Sequence, residues 1–240
     1  MINIQKGKIK KPVVLAVYGV EGIGKTTFAS KMPGALVIDL ECGSYNYDVA
    51  RVGDINTWEM LLETLKELFQ KSEDFQKSGI KTIVFDTVDK LENDLLIPFT
   101  LKKANKNTLA EMEWGRGYES EGRNFSDFLA VCDALKTKGY NLVFVVHSTQ
   151  KEINPPDNIP FSHYELKLNK KVSALLKEYV DMLLFFNFKT LVVRDKNGSN
   201  KGQAVERVMV CNHTAYADAK NRFGLETVLP LNAGIISKLF

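Results

Sequence analysis

Residues 19–26 read Gly-Val-Glu-Gly-Ile-Gly-Lys-Thr and fit the GxxxxGK[ST] pattern of a phosphate-binding loop at every fixed position. The segment before them, residues 13–18 (VVLAVY), is a short apolar run rich in β-branched residues, which is typical of a buried parallel strand. A helix is predicted to begin near Lys25. Backbone N–H groups of such a loop, together with the helix N-terminus, hold phosphate groups. The stretch therefore predicts an α/β fold that binds a nucleotide.

Two side chains of this loop have predicted roles of their own. Lys25 is expected to reach the β- and γ-phosphates of ATP, and the Thr26 hydroxyl is expected to bind Mg²⁺. A glycine-rich turn that binds nothing is the alternative, and the flanking strand and helix argue against it. The predicted nucleotide-binding residues are Gly19, Val20, Glu21, Gly22, Ile23, Gly24, Lys25, Thr26 and Thr27.

Further strands and helices alternate along the chain. Residues 35–40, 82–86 and 142–146 repeat the apolar strand character, and residues 58–69 and 125–135 carry apolar side chains at helical spacing. This alternation predicts a mostly parallel sheet flanked by helices on both faces.

The C-terminal third has a different pattern. Residues 151–160 contain three prolines and are predicted to be a loop. Residues 182–193 and 205–210 are predicted to be strands, and the polar, glycine-containing residues 195–202 between them suggest a hairpin. We therefore expect additional antiparallel strands near the C-terminus, within a single domain over residues 12–240 that follows a basic leader, residues 1–11.

Composition sets broad limits on the class of protein. The 240 residues are 45% hydrophobic and 25% charged, as in soluble globular proteins, and no apolar run reaches the ~20 residues of a membrane span. The net charge is +3, and the leader is either solvated or contacts nucleic acid. Three well-separated cysteines predict reduced core thiols and a cytoplasmic location. The leader lysines are Lys6, Lys8, Lys10 and Lys11, and the cysteines are Cys42, Cys132 and Cys211.

Carboxylates follow two of the predicted strands. Asp86 ends an apolar strand, which suits an aspartate that anchors Mg²⁺, although an aspartate at a strand end is also a common helix cap. Asp89 is a second choice for the metal. Glu41 lies just beyond the strand of residues 35–40, at the edge that faces the nucleotide in a parallel sheet. It is either a base that deprotonates the attacking water or a solvated loop acid.

Four segments together resemble the RecA-like ATPases, and among them the small phage and prophage nucleotide-binding recombination proteins. Residues 37–43 (VIDLECG) resemble the strand that ends in the family's catalytic glutamate, and residues 82–91 (TIVFDTVDKL) resemble its Walker B strand. The resemblance thus implies that Glu41 is catalytic and that Asp86 binds the metal.

The other two segments are residues 142–150 (LVFVVHSTQ) and residues 219–224 (AKNRFG). The first resembles the central strand whose tip holds a polar γ-phosphate sensor, a glutamine in RecA and His147 here. The second resembles the KxRxG segment of the ring helicases, whose Lys and Arg reach a neighbouring subunit's ATP. This implies catalytic roles for Lys220 and Arg222. The simpler alternatives are a strand-capping histidine and a pair of surface cations.

The resemblance implies an ATPase that acts on single-stranded DNA in recombination, annealing or repair in a bacterial host cell, as a homo-oligomer with ATP between subunits. DNA would contact mobile loops at residues 100–123 and 150–171, which contain cations and aromatic residues. The alternative is a nucleotide-gated DNA-binding module with little hydrolysis. A small-molecule kinase is disfavoured because the sequence has no arginine-rich lid segment between residues 86 and 146. A GTPase is disfavoured because no NKxD segment follows a predicted strand. Tyr45 or Tyr47 could stack on adenine, but nothing in the sequence selects either, and the alternative is an aromatic side chain packed within the protein.

Overall fold

The computed structural model describes residues 6, 7, 9–156, 159–194 and 200–240, and the side chains of these residues except 190–194 and 200–205. Within this part of the chain the strands form one ten-stranded sheet in the order β10-β8-β7-β1-β5-β4-β2-β3, with β6 paired to β5 and β9 paired to β7. The strands are β1 Val14–Gly19, β2 Ala35–Asp39, β3 Ala50–Val52, β4 Thr82–Asp86, β5 Asn141–Ile153, β6 Phe161–Leu166, β7 Met182–Arg194, β8 Asn200–Val210, β9 Lys220–Asn221 and β10 Val228–Pro230.

The helices cover both faces of this sheet, as the alternating pattern predicts. A π-helical turn, Leu91–Leu96, joins the fourth and fifth helices, and short 3-10 turns occur at Ser44–Asn46, Leu109–Glu111, Glu113–Gly115 and Ser237–Leu239. The α-helices are α1 Lys25–Ala29, α2 Trp58–Gln70, α3 Ser72–Lys77, α4 Val88–Lys90, α5 Ile97–Ala104, α6 Arg116–Thr137, α7 Lys170–Tyr179 and α8 Ala233–Ile236.

The parallel centre of the sheet confirms the predicted fold class. β1 pairs in parallel with β5 on one side and β7 on the other, and β5 in turn pairs with β4. Alternate residues of β1 point into two different cores. Tyr18 packs into the core beneath α2 and α6, whereas Val17 packs into the core that contains Phe28 of α1. Because both faces are covered, these strands are apolar throughout, which is why their sequence shows no alternation.

The antiparallel C-terminal strands are confirmed as well. β7 and β8 pair along most of their length, with an irregularity between Lys189 and Thr190, and β10 extends the sheet beyond β8. Residues 195–199 of the predicted connection lie outside the described residues, as do residues 1–5 and 8 of the leader.

Three local expectations are wrong. Residues 100–123 are not one loop, because they contain the end of α5, two 3-10 turns and the start of α6. Residues 150–171 are mostly a hairpin of β5 and β6 followed by α7, and residues 151–153 are strand rather than loop. All three cysteines are free and two are buried, but Cys42 is exposed. The polar hairpin forms through cross-strand pairing, which hydropathy alone does not reveal.

Two buried carboxyl groups meet where the π-helical turn packs on α6. Glu92 is 2% exposed and Glu121 is fully buried, and the two share a hydrogen bond. The Asn169 backbone N–H donates to the Glu92 oxygens at 3.0 and 3.2 Å, and its Nδ2 donates to Glu121 at 2.9 and 3.1 Å. Burial, and then the neighbouring Glu121, raise the pKa of Glu92 to about 8. One of the two carboxyl groups is therefore protonated at neutral pH.

Replacing Glu92 with glutamine is expected to remove part of the pH dependence of stability. A carboxyl whose pKa is raised on folding contributes stability below its unfolded pKa, and this is lost as pH rises through about 8. Glutamine imitates the protonated acid, so E92Q should match the wild type at pH 4, below the unfolded pKa, and exceed it at pH 8.5 by about 1–3 kcal/mol. Urea unfolding at both pH values measures this. Parallel pH profiles for E92Q and the wild type would contradict it, and exposed Glu63→Gln serves as the control.

Candidate nucleotide-binding site

The phosphate-binding loop connects the buried end of β1 to the first turn of α1. Gly22 and Gly24 have φ values of 72° and 104°, a region that disfavours side chains. Gly24 is the residue immediately before α1. These two glycines allow the chain to turn sharply, so the backbone can approach a phosphate closely.

Lys25 lies folded over this loop. Its Nζ donates to the carbonyl oxygens of Gly19 and Val20, both at 3.0 Å, and the residue is only 6% exposed. Burial lowers the pKa of Lys25, and the carboxylates of Asp89 and Glu41 oppose that shift. The ammonium group thus lies between the loop carbonyls and the carboxylates of Asp89 and Glu41. A phosphate could replace the carbonyls as its hydrogen-bond partner.

Three sheet strands bring the other predicted residues to the same place. A cavity of about 280 Å³ is bounded by the loop, by the C-terminal ends of β2 and β4, and by the end of the parallel part of β5. Of the predicted catalytic and metal residues, Lys25, Thr26, Glu41, Asp86 and His147 line it, whereas Lys220 and Arg222 do not. The lining residues are Glu21, Gly22, Gly24, Lys25, Thr26, Thr27, Glu41, Tyr47, Asp86, Thr87, His147 and Arg207.

Asp86 and Thr26 form an arrangement that fits a magnesium ion. Asp86 is 2% exposed, its carboxylate is hydrogen-bonded by the Thr26 side chain, and its Oδ1 has no hydrogen-bond partner although it is buried. Burial raises the pKa of Asp86 to about 6. A buried carboxylate oxygen without a partner is costly, and a hard cation shared with the Thr26 hydroxyl would satisfy it.

The carboxylate of Asp89 holds His147 in position through two hydrogen bonds. His147 is the residue at which β5 leaves the parallel sheet. Its Nδ1 lies 2.8 Å from Asp89 Oδ2, and its backbone N–H donates to Asp89 Oδ1 at 3.0 Å. The hydrogen bond to Asp89 raises the pKa of His147. Although burial opposes ionisation of Asp89, the bonds from His147 keep the pKa of Asp89 below its usual range. Asp89 is therefore occupied as the orienting partner of the histidine.

Glu41 lies beside the pair formed by His147 and Asp89. Thr87 Oγ1 donates to Glu41 Oε1 at 3.1 Å, and His147 Nδ1 lies 3.6 Å from the same oxygen. The Glu41 side chain keeps 28% exposure, so water can reach it. Ligand atoms of Glu41, Asp89 and His147 lie within 4.8 Å of one another and could also hold a cation, but the ring nitrogen that faces both acids already bonds Asp89.

Lys220 and Arg222 lie elsewhere and bond within their own chain. Lys220 Nζ donates to the carbonyl oxygens of Lys177 and Glu178 at 3.1 and 3.0 Å. Arg222 Nη1 pairs with Asp181 Oδ1 at 2.9 Å, with 59% of the arginine side chain exposed. The structure thus does not bring either cation to the phosphate cavity of the same chain.

Arg207 is a site residue that the sequence did not single out. It is exposed, and its Nη1 lies 3.5 Å from the position that a Cβ on Gly24 would take. It also lines an adjoining cavity of about 150 Å³ that includes Thr27 and Lys31 but none of the acids. No described carboxylate forms an ion pair with it. Arg207 lies on β8, far from the loop in the sequence, and no local sequence motif connects it to the loop.

The structure distinguishes between Tyr45 and Tyr47, the two tyrosines that the sequence suggests for stacking on adenine. Tyr47 lines the phosphate cavity, and the Thr27 hydroxyl donates to its OH at 3.1 Å. Tyr45 is 60% exposed and lies outside the cavity lining. The geometry therefore favours Tyr47 as the aromatic residue near the nucleotide.

The mostly parallel sheet, the phosphate-binding loop and this cavity define a P-loop nucleotide-binding protein. The chain belongs to the AAA domain family, whose model matches residues 11–223. Among solved structures, it is similar to the KaiC-like protein PH0186 from Pyrococcus horikoshii OT3, with 12% identity and a TM-score of 0.41 over 83% of this chain and 78% of that chain. A comparison with curated proteins finds no match. No helix in the described part of the chain is long and apolar enough to cross a membrane.

Proposed function

We propose that this protein hydrolyses ATP in the phosphate cavity. The observation that carries the proposal is that a buried lysine, an unpaired buried aspartate oxygen and a solvent-accessible glutamate converge from the loop, β4 and β2 on one space. Transfer of a phosphoryl group to water needs a cation, a metal ligand and a general base, and the lysine, the aspartate and the glutamate can supply them in that order.

The chain's own residues have distinct roles in this reaction. Lys25 leaves the carbonyls of Gly19 and Val20 for the β- and γ-phosphates, where a charge-assisted hydrogen bond is stronger than the present ones. Glu41 orients a water and accepts its proton as the water oxygen bonds the γ-phosphorus and the bond to the ADP oxygen breaks. His147, held by Asp89, donates from its other ring nitrogen towards the γ-phosphate.

Mg²⁺ held by Thr26 and Asp86 would neutralise charge on the β- and γ-phosphates. Thr26 and Asp86 are already hydrogen-bonded to each other, so they require little rearrangement to share a ligand. Preorganised groups of this kind cost little free energy when the substrate binds.

The wider role that we propose is action on single-stranded DNA in recombination, annealing or repair of the phage type. The ordered resemblance of the four segments supports it. In a homo-oligomer, Lys220 and Arg222 would leave Asp181 and the α7 carbonyls and reach the ATP of the neighbouring subunit. The side chain of Arg222 is more than half exposed, which is compatible with such a role, whereas Lys220 is only partly exposed.

ATP turnover measured with and without single-stranded DNA tests this proposal. We expect Mg²⁺-dependent release of phosphate that DNA accelerates. Mixing K25A subunits with R222A subunits should restore part of the activity, because each mixed interface can combine one intact loop with one intact arginine. Absence of turnover in both conditions would contradict hydrolysis, and absence of rescue would contradict action in trans.

A nucleotide-gated DNA-binding module with little hydrolysis is the second candidate. It is favoured by the engagement of Lys220 and Arg222 within their own chain, which leaves the cavity without a second cation from that segment. This module would bind DNA tightly with a nonhydrolysable ATP analogue and release phosphate slowly even when DNA is present.

Arg207 is expected to contact the nucleotide near its α-phosphate or ribose, because it lines the end of the cavity next to Thr27 and Lys31. R207A should weaken ATP and ADP binding to the same extent, by about tenfold, as expected for one partly exposed charged hydrogen bond. Calorimetric titration with both nucleotides measures this. A loss confined to ATP would instead place Arg207 at the γ-phosphate. Arg116→Ala, an exposed arginine at the start of α6 and outside both cavities, is the control.

A further inference from the structure

A second cavity, of about 520 Å³, lies at the N-terminal edge of the parallel strands. Its walls include Pro12, which precedes β1, Pro33, which precedes β2, and Lys81, which precedes β4. Asn141, the first residue of β5, lies between them. The phosphate cavity lies at the C-terminal ends of the same strands, so the two cavities occupy opposite edges of the sheet.

Four lysines from three separate segments surround this cavity. Lys10 and Lys11 come from the leader, Lys81 from the turn before β4, and Lys138 from the end of α6, and all four are exposed. No aspartate or glutamate lines the cavity. None of the four forms an ion pair with a described side chain, and the Lys138 Nζ lies 4.7 Å from the centre of the Phe69 ring. Uncompensated like charges gathered around one cavity attract a polyanion.

The segments that the sequence predicts to contact DNA differ from this edge, because some of their lysines form ion pairs. There, Lys102, Lys151 and Lys171 lie within ion-pair distance of Glu59, Glu165 and Glu119 respectively. Several other cations of those segments form no ion pair with a described side chain, but acids are interleaved with them in the sequence. The N-terminal edge therefore gathers four lysines that form no ion pair with a described carboxylate.

Hydrogen bonds between segments hold the backbone at two of these lysines, Lys81 and Lys138. Asn141 Oδ1 accepts from the Val13 N–H at 2.7 Å, and the Asn141 N–H donates to the Lys81 carbonyl at 2.9 Å. Gln76 Nε2 donates to the Lys138 carbonyl at 2.6 Å. Lys81 and Lys138 are thus carried by ordered backbone, which lowers the cost of binding a ligand.

We infer that this edge binds the sugar–phosphate backbone of a single-stranded nucleic acid, without sequence preference. Spaced lysines on flexible side chains contact successive phosphates as point charges, which suits a linear polyanion better than one compact phosphate. The side-chain amides of the cavity, on Asn141 and Gln76, already bond the backbone, so they are not free to read bases. The inference does not depend on ATP hydrolysis.

Fluorescence anisotropy with a labelled oligo(dT) strand, in the absence of nucleotide, tests the inference. The double variant K81A/K138A should bind at least tenfold more weakly, and its slope of log affinity against log salt should be smaller by about 1.4, which corresponds to two lost single-strand contacts. K10A/K11A should behave in the same way. The matched control K66A/K71A, which removes two lysines from α2 and its C-terminal end, should bind like the wild type.

Three outcomes would overturn the inference. An equal loss in K66A/K71A would show that only net charge matters. A loss confined to K167A/K170A would place the strand at the β5–β6 side of the molecule. Inorganic tripolyphosphate that binds the wild type while oligo(dT) does not would make the edge a site for free polyphosphate. Circular dichroism of each variant establishes that it is folded.

Discussion

Replacing Glu41 with glutamine is expected to lower kcat for ATP hydrolysis by about 10²–10⁴-fold, the usual contribution of a general base, with nucleotide affinity nearly unchanged. The Glu41 Oε1 accepts a hydrogen bond from Thr87 at 3.1 Å, and a glutamine oxygen can accept the same bond. The amide keeps the geometry of the site but cannot take the proton of the attacking water. Single-turnover phosphate release with pre-bound ATP separates the chemical step from binding.

The loop offers a matched control for this substitution. Glu21 also lines the phosphate cavity but is exposed on the loop, and Glu21→Gln should retain activity within a few-fold. If E41Q hydrolyses ATP at the wild-type rate, the base is another group or the reaction uses none. If E41Q instead loses nucleotide binding, Glu41 has a structural role at the end of β2.

Replacing Asp86 with asparagine is expected to reduce the affinity for Mg²⁺·ATP by about 10²-fold, since the metal loses a charged ligand. Asparagine has the same shape and can still accept the hydrogen bond from Thr26. It also removes a negative charge near the phosphates, so affinity for ATP in the presence of EDTA should not fall. The expected result is thus a loss that appears only when Mg²⁺ is present.

Titration of wild type and D86N with ATP, with and without Mg²⁺, measures this difference. Asp54→Asn removes one exposed carboxylate outside the cavity and should change neither affinity. Equal losses with and without Mg²⁺ would show that Asp86 supports the fold of the site rather than the metal. Unchanged affinity in both conditions would move the metal to the group of Glu41, Asp89 and His147.

The core of the fold could be predicted because its signals are local. The apolar runs of β1 and β4 are buried on both faces, and such strands are recognisable by composition alone. The N-terminal half of α6 could not be found in this way. Its buried face includes Gly117, Glu121 and Gly122, so the face that packs inward does not show apolar periodicity.

In the site, too, some residues could be predicted from local sequence signals and others could not. The loop residues could be predicted from the GxxxxGK[ST] motif. Glu41 and Asp86 could be predicted because the C-terminal ends of parallel strands meet at one edge of the sheet. Arg207 reaches the loop only because the β7–β8 hairpin adds to the sheet beside β1, a contact between distant parts of the chain. Asp89 was considered for the metal, and its bond to His147 depends on the pairing of β4 with β5.

The central claim is that the loop cavity binds ATP, and calorimetric titration with a nonhydrolysable ATP analogue and Mg²⁺ tests it most directly. The wild type should bind one nucleotide per chain, and K25A should bind about 10- to 100-fold more weakly, because a buried charge-assisted contact to phosphate is lost. Lys66→Ala, on the exposed face of α2, should bind like the wild type. Equal affinity of K25A and wild type, or no heat of binding in the wild type, would contradict the claim.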